Sequence, residues 1–112
     1  MFRRQAIPSV RPADVGPDAY LLDVREPDEW AAGHAPDAHH IPMMEIPGRV
    51  AEVPADRDVV VICRVGGRSG QVVSYLHQLG RTNVRNLDGG MQDWAATGRE
   101  LVSEDGRAPR VV

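Results

Sequence analysis

The stretch Val59-Val60-Val61-Ile62-Cys63-Arg64-Val65-Gly66-Gly67-Arg68-Ser69 decides how this chain folds. Four β-branched aliphatic residues in a row read as a strand buried on both faces, and the run stops at the chain's single cysteine. Cys63 is therefore expected at the carboxyl end of a strand. A short turn with two glycines and two arginines follows. Beyond it, Ser69 to Leu79 carries apolar residues at 72, 73, 76 and 79, the spacing of a helix. Strand, tight glycine-rich loop and helix N-terminus together make an anion-binding device, because successive backbone N–H groups point into the loop and the helix dipole favours negative charge there.

A thiol at the centre of such a device is pushed toward thiolate. Free cysteine titrates near 8.5, and cysteines at helix N-termini or beside arginine fall to roughly 3.5–7.5. The sequence thus predicts Cys63 as a nucleophile. A lone cysteine that ends a buried strand is usually only a small core hydrophobe, but packing alone does not call for two arginines and two glycines beside it. Loop length separates two chemistries. Cysteine phosphatases grip a tetrahedral phosphoryl group with a longer loop, and the interval from Cys63 to Arg68 is one residue too short for that pattern. A tighter ring of N–H donors suits a single terminal sulfur carried on the cysteine.

These residues resemble a known family. Cys63 to Ser69 looks like the active-site loop of the rhodanese sulfurtransferases. Three further stretches resemble the same family in the expected order: Leu22-Asp23-Val24-Arg25-Glu26-Pro27-Asp28-Glu29-Trp30, then Gly33-His34-Ala35-Pro36-Asp37-Ala38 with Ile41-Pro42, then Leu87-Asp88-Gly89-Gly90-Met91-Gln92-Asp93-Trp94. Asp37 stands where the family usually has glycine, a substitution that a turn tolerates. The resemblance implies a single-domain rhodanese-like α/β fold with a central parallel five-stranded sheet flanked by helices on both faces. It also implies transfer of a sulfane sulfur, from a donor such as thiosulfate to cyanide or a thiol, through a persulfide on Cys63. Arg64, Val65, Gly66, Gly67, Arg68 and Ser69 are expected to line the substrate, with Arg64 at the sulfonate end of thiosulfate.

Size and composition agree with that reading. A chain of 112 residues has room for one core, so residues 1–112 are expected as one domain. With 42% hydrophobic and 26% charged residues it is ordinary for a globular protein. The net charge of −3 argues against nucleic-acid or anionic-membrane partners. All 13 cationic side chains are arginine, which excludes Schiff-base chemistry on lysine. One cysteine makes no internal disulfide and fits a reducing, cytoplasmic setting. It also leaves no second thiol to resolve a persulfide, so the acceptor comes from outside.

Taken in order, Ile7 and Val10 suggest an edge strand beside Pro8, with a helical turn near Pro12 to Val15. Ala19 to Val24 reads as a second buried strand. Pro27 starts a short helix, and the acids Glu26, Asp28 and Glu29 read as dipole partners and solvated groups. Asp23 and Arg25 fall at that strand's carboxyl end, level with Cys63 in a parallel sheet, where ligands bind in open α/β folds. Asp23 is expected to pair with Arg68 and fix the loop's shape. His34 reads as a histidine hydrogen-bonded inside the fold, and His39 and His40, adjacent on a short strand, point to opposite faces and make no metal pair. Met43 or Met44 lines the mouth of the site or fills core. Gly80 caps the second helix, Thr82 to Leu87 forms the fifth strand, and Gly89 to Gly98 forms a turn and last helix in which Trp94 is core. Residues 102–112 read as a frayed or loosely docked tail. No metal or organic cofactor is called for. Alternatives on the same residues are a partner-binding rhodanese module without activity, a carrier dedicated to one acceptor, or a phosphatase or arsenate reductase.

Overall fold

The computed structural model describes residues 7–112. Five short strands, β1 (Ser9–Val10), β2 (Tyr20–Asp23), β3 (His39–His40), β4 (Val59–Ile62) and β5 (Val84–Leu87), form one sheet in the order β1-β5-β4-β2-β3. Every pairing is parallel. The helices are α1 (Pro27–Ala32), α2 (Gly67–Gln78) and α3 (Gly90–Ala96), and tight 3₁₀ turns occupy Pro12–Asp14, Met43–Gly48 and Val50–Glu52. Pro47 lies inside the second of these turns and bars a regular α-helix there. The N-terminal strand does lie at an edge. The third strand spans only His39–His40 at the opposite edge, and beyond it the N–H groups of Ile41 and Met43 still donate to the carbonyls of Asp23 and Val24.

β4 sits at the centre of the order, and all four of its residues have no exposed surface. Removing each such side chain from water is worth roughly 1.5–3 kcal/mol. Strand alternation divides them between two cores. Val59 and Val61 join Leu22, Val72, Val73, Leu76 and Val84 on the α2 face. Val60 and Ile62 join Leu21, Leu87, Met91 and Trp94 on the α3 face. The sheet is thereby covered on both sides, which explains why its strands read as continuous hydrophobic runs.

Register places the functional edge. Asp23 lies opposite Ile62, and Asn86 lies opposite Val61, so the residues following β2, β4 and β5 emerge together beside Cys63. At the far end of α2, Gly80 adopts φ +86° and Arg81 N–H reaches back to the Leu76 carbonyl, ending the helix in the left-handed manner glycine permits. Asp37 is the one described non-glycine residue at positive φ, 64°, a conformation that aspartate tolerates.

Residues 102–112 carry no helix or strand, but their backbone is tied to α1 and the turn after it. Val102 and His34 exchange both backbone bonds at 2.9 Å, and the N–H groups of Glu104 and Arg110 donate to the carbonyls of Ala31 and Ala32. Gly33 is required there, because a Cβ would come within 2.2 Å of the Arg110 carbonyl oxygen. Val111 packs on the α3-face core.

Candidate active site

β4 ends at Ile62 and delivers Cys63 to the floor of the loop 63–69. Gly66 takes φ +111°, which turns the chain sharply into the first turn of α2. The Gly66 N–H donates to Cys63 Sγ at 3.0 Å, and Ser69 Oγ lies 3.3 Å from the same sulfur. Burial drives the thiol's pKa up. The hydroxyl of Ser69 and the N–H groups of Ser69, Gly66 and Val65 pull it down, and together they prevail, so Cys63 titrates below its ordinary value. Cys63 is nonetheless 1% exposed. Arg64, Val65 and Gly67 above it are exposed, and Arg64 makes no side-chain hydrogen bond or ion pair among the described residues.

The turn after β5 braces the loop from the other side. Met91 N–H and Gln92 N–H donate to the carbonyls of Cys63 and Arg64. Gly90 is forced at this contact: its φ is +58°, and a Cβ would lie 2.4 Å from the Cys63 carbonyl oxygen. Asn86 on β5 grips the loop interior. Its Nδ2 donates to the Gly66 carbonyl at 3.1 Å, and its Oδ1 accepts from Ser69 Oγ at 2.5 Å.

Asp23 does not pair with Arg68. Its carboxylate takes the guanidinium of Arg25, with Nε 2.9 Å from Oδ1 and Nη2 2.7 Å from Oδ2, and neither side chain has any exposed surface. Two residues apart at a strand end, these groups close on each other before either can reach the loop. Arg25 then donates onward to the carbonyl of Glu29, midway along α1, and to that of Gly33, just past its end, and so ties the C-terminal half of α1 to the strand end. Arg68 instead forms a bidentate pair with Glu29, at 2.7 and 2.8 Å. Glu29 is therefore more than a dipole partner. Its Oε1 also accepts the Glu26 N–H in a capping box, and the Arg68 bond holds its pKa below the usual carboxylate range. Asp23 and Arg25 thus support the loop through α1.

The histidines are structural. His34 is buried, bonded to the Ala35 carbonyl and Glu104, and stacked 3.5 Å over Trp30. His39 stacks on Tyr20, while His40 stacks on Trp30 and bonds the Arg25 carbonyl at 2.7 Å, so the two do face opposite ways. Among the described residues no group of three His, Cys, Asp or Glu side chains could hold a metal. Met43 packs against the α2-face core and Met44 is exposed.

The model of the rhodanese-like domain matches residues 11–97. This chain belongs to the rhodanese-like family. A sulfurtransferase of Allochromatium vinosum is 48% identical over 89 residues, covering 80% of this chain and 83% of that protein. The putative sulfurtransferase YtwF of Bacillus subtilis is 44% identical over 77 residues, covering 69% of this chain and 74% of its own. A rhodanese-related protein from Thermoplasma volcanium superposes with a TM-score of 0.79 at 34% identity, over 85% of this chain and 97% of that one. These likenesses support an enzyme of the rhodanese family acting in sulfur transfer, with a sulfur donor and a sulfur acceptor as its substrates. Among the described residues, no helix of this rhodanese-like domain is long and apolar enough to cross a membrane.

Within the domain, the N–H groups of Val65, Gly66 and Ser69 and the Ser69 hydroxyl face the Cys63 sulfur, whereas the Arg68 side chain goes to Glu29 and the side chains of Arg64 and Val65 lie exposed. Asn86, Glu29 and Gly90 were not singled out from sequence as parts of the site. Asn86 had a signal: it is polar at the phase of β5 shared with the core residue Val84.

Proposed function

We propose that this rhodanese-like domain moves a sulfane sulfur from an anionic donor such as thiosulfate to a thiol or cyanide through a persulfide on Cys63. The observation that carries the reading is the ring of donors around Cys63 Sγ, from Gly66, Ser69 and Val65, at the N-terminus of α2. In the first step the thiolate lone pair forms a bond to the outer sulfur of thiosulfate. The S–S bond of thiosulfate breaks with its electron pair, and sulfite leaves. In the second step the acceptor attacks the terminal sulfur, and the pair of the Cys63–S bond returns to Sγ. No electrons enter or leave the sum, so no outside oxidant or reductant is needed.

The negative charge moves from Sγ to the terminal persulfide sulfur between these steps. Backbone N–H groups of the first turn of α2 have no intrahelical partner, and fixed donors of this kind stabilise developing charge without reorganising. Arg64 is exposed and without a side-chain partner among the described residues, a position suited to the sulfonate end of the donor. Because Cys63 is 1% exposed, donor entry requires the exposed residues Arg64, Val65 and Gly67 to shift. A single cysteine and the absence of a second thiol support an external acceptor in a reducing compartment such as the cytoplasm.

The test is steady-state formation of thiocyanate from thiosulfate and cyanide. The reading expects parallel double-reciprocal lines, the mark of a covalent shuttle, no activity in Cys63→Ser, and a raised KM for thiosulfate in Arg64→Ala. Intersecting lines with activity retained in Cys63→Ser would remove Cys63 from the chemistry, and an unchanged KM in Arg64→Ala would remove Arg64 from the site.

A further inference from the structure

Ser69 has one hydroxyl proton and two acceptors within reach, Asn86 Oδ1 at 2.5 Å and Cys63 Sγ at 3.3 Å. The orientation of the Asn86 amide is fixed from its other end, because Nδ2 must donate to the Gly66 carbonyl at 3.1 Å. Oδ1 therefore faces Ser69 and can only accept. All three side chains are buried or nearly so: Cys63 is 1%, Ser69 0% and Asn86 9% exposed, which leaves little room for water to relieve the competition.

We propose that Asn86 is a positioning residue that competes with the Cys63 sulfur for the hydroxyl proton of Ser69. The reading rests on Cys63 being the reactive group. When the sulfur is a thiol, a consistent chain runs from S–H to Ser69 Oγ and from Ser69 O–H to Asn86 Oδ1, with every proton used. When the sulfur is a thiolate it can take a further donor beside the loop N–H groups, and Ser69 supplies one only by abandoning Asn86, whose buried carbonyl then lacks its partner. Asn86 thus favours the neutral thiol and opposes the N–H groups of the loop, which favour the anion. The use of such opposition is chemical. The nucleophilicity of a thiolate falls as its pKa falls, and the fastest attacking thiol titrates near ambient pH. A cup that over-stabilised the thiolate would hold an anion too weak to attack. Asn86 has a second effect through peptide planarity: gripping the Gly66 carbonyl turns the Gly67 N–H, on the opposite side of the same peptide, away from Asn86.

The charged and titratable groups on the loop and the elements around it include Arg64 and Arg68, Glu26, Asp28 and Glu29 at α1, the Asp23–Arg25 pair, Tyr75 and His77 on α2, Arg85 on β5, and Asp88 and Asp93 beyond it. None is changed by the variants proposed here. The pH dependence of alkylation by iodoacetamide, without any sulfur donor, reads the thiol directly in wild type, Asn86→Val, Ser69→Ala and the double variant. Competition predicts that Asn86→Val lowers the alkylation pKa by about one unit, a tenfold gain in thiolate over thiol, and that Ser69→Ala raises it more in the Asn86→Val background than in the wild type. An unchanged or raised pKa in Asn86→Val, as loss of a merely structural brace would give, overturns the proposal, as does an equal effect of Ser69→Ala in both backgrounds. If valine is not tolerated, Asn86→Leu, nearer the amide in size and likewise without an acceptor, carries the same expectation. The readout needs no sulfur transfer, so a protein that gains no sulfur from thiosulfate contradicts the proposed function while leaving this coupling measurable.

Discussion

Replacing Asp23 with alanine leaves the guanidinium of Arg25 buried without its carboxylate. Both side chains have zero exposed surface, and the pair is held by contacts of 2.7 and 2.9 Å, so neither bulk water nor another acid can take the lost partner's place. Removing one member of such a pair costs about 3–5 kcal/mol, a large share of the roughly 5–15 kcal/mol that holds a domain together. For a chain of this size each kcal/mol shifts Tm by about 4 °C, so Asp23→Ala should melt about 12–20 °C below the wild type. Arg25→Ala should fall as far, because it also releases the carbonyls of Glu29, midway along α1, and Gly33, just past its end. The double variant should cost about 2 kcal/mol or more less than the sum of the singles, since it leaves no unpaired charge. Urea denaturation of the four proteins measures the cycle. Asp23→Ala within about 1 kcal/mol of wild type, or strict additivity, would refute the assignment of this pair as the buried support of α1.

Three further outcomes follow from particular contacts. The Arg68 bond depresses the pKa of Glu29, so the pair's contribution is present above the unfolded carboxylate value of about 4.3 and disappears as pH falls through the lower folded value; the Tm gap between wild type and Glu29→Gln should hold steady from pH 6 to 8 on the order of a 1 kcal/mol effect and close in acid. Gly90→Ala places a Cβ at φ +58° against the carbonyls of Cys63 and Arg64, and should cost more than about 1 kcal/mol and abolish thiocyanate formation, measured by urea melts and turnover. Truncation after Leu101 removes the Val102 bridge, the Glu104 and Arg110 backbone bonds and the packing of Val111, and should lower Tm by several degrees in a thermal scan; an unchanged Tm would show that these contacts add nothing.

Much of the fold follows from local pattern. The β-branched run Val59–Ile62, the helical spacing from Val72 to Leu79 and the glycines between them are enough to place a cysteine at a strand end before a helix. Parallel alternation does the rest, because a strand without polar phases must be covered on both faces. The site was legible where it is continuous in sequence, from Cys63 to Ser69. It was not legible where it is assembled across the sheet. Asp23 is the partner that sequence suggests for Arg68, but it closes first on Arg25, two residues away at a bend, and leaves Arg68 to Glu29. Glu29 shows a capping-box spacing with Glu26, but only the tertiary path of α1 brings it to Arg68. Gly90 belongs to a quoted motif whose steric reason, the nearness of the Cys63 carbonyl, exists only in three dimensions. The fixed amide of Asn86 likewise depends on both Gly66 and Ser69 being in place.

Intact-mass spectrometry after incubation with thiosulfate tests whether the amide-lined cup makes Cys63 a sulfur carrier. Wild type should gain the mass of one sulfur atom, lose it on addition of cyanide, and show neither change as Cys63→Ser. A wild-type mass that does not move, or a gain that persists in Cys63→Ser, would contradict the account.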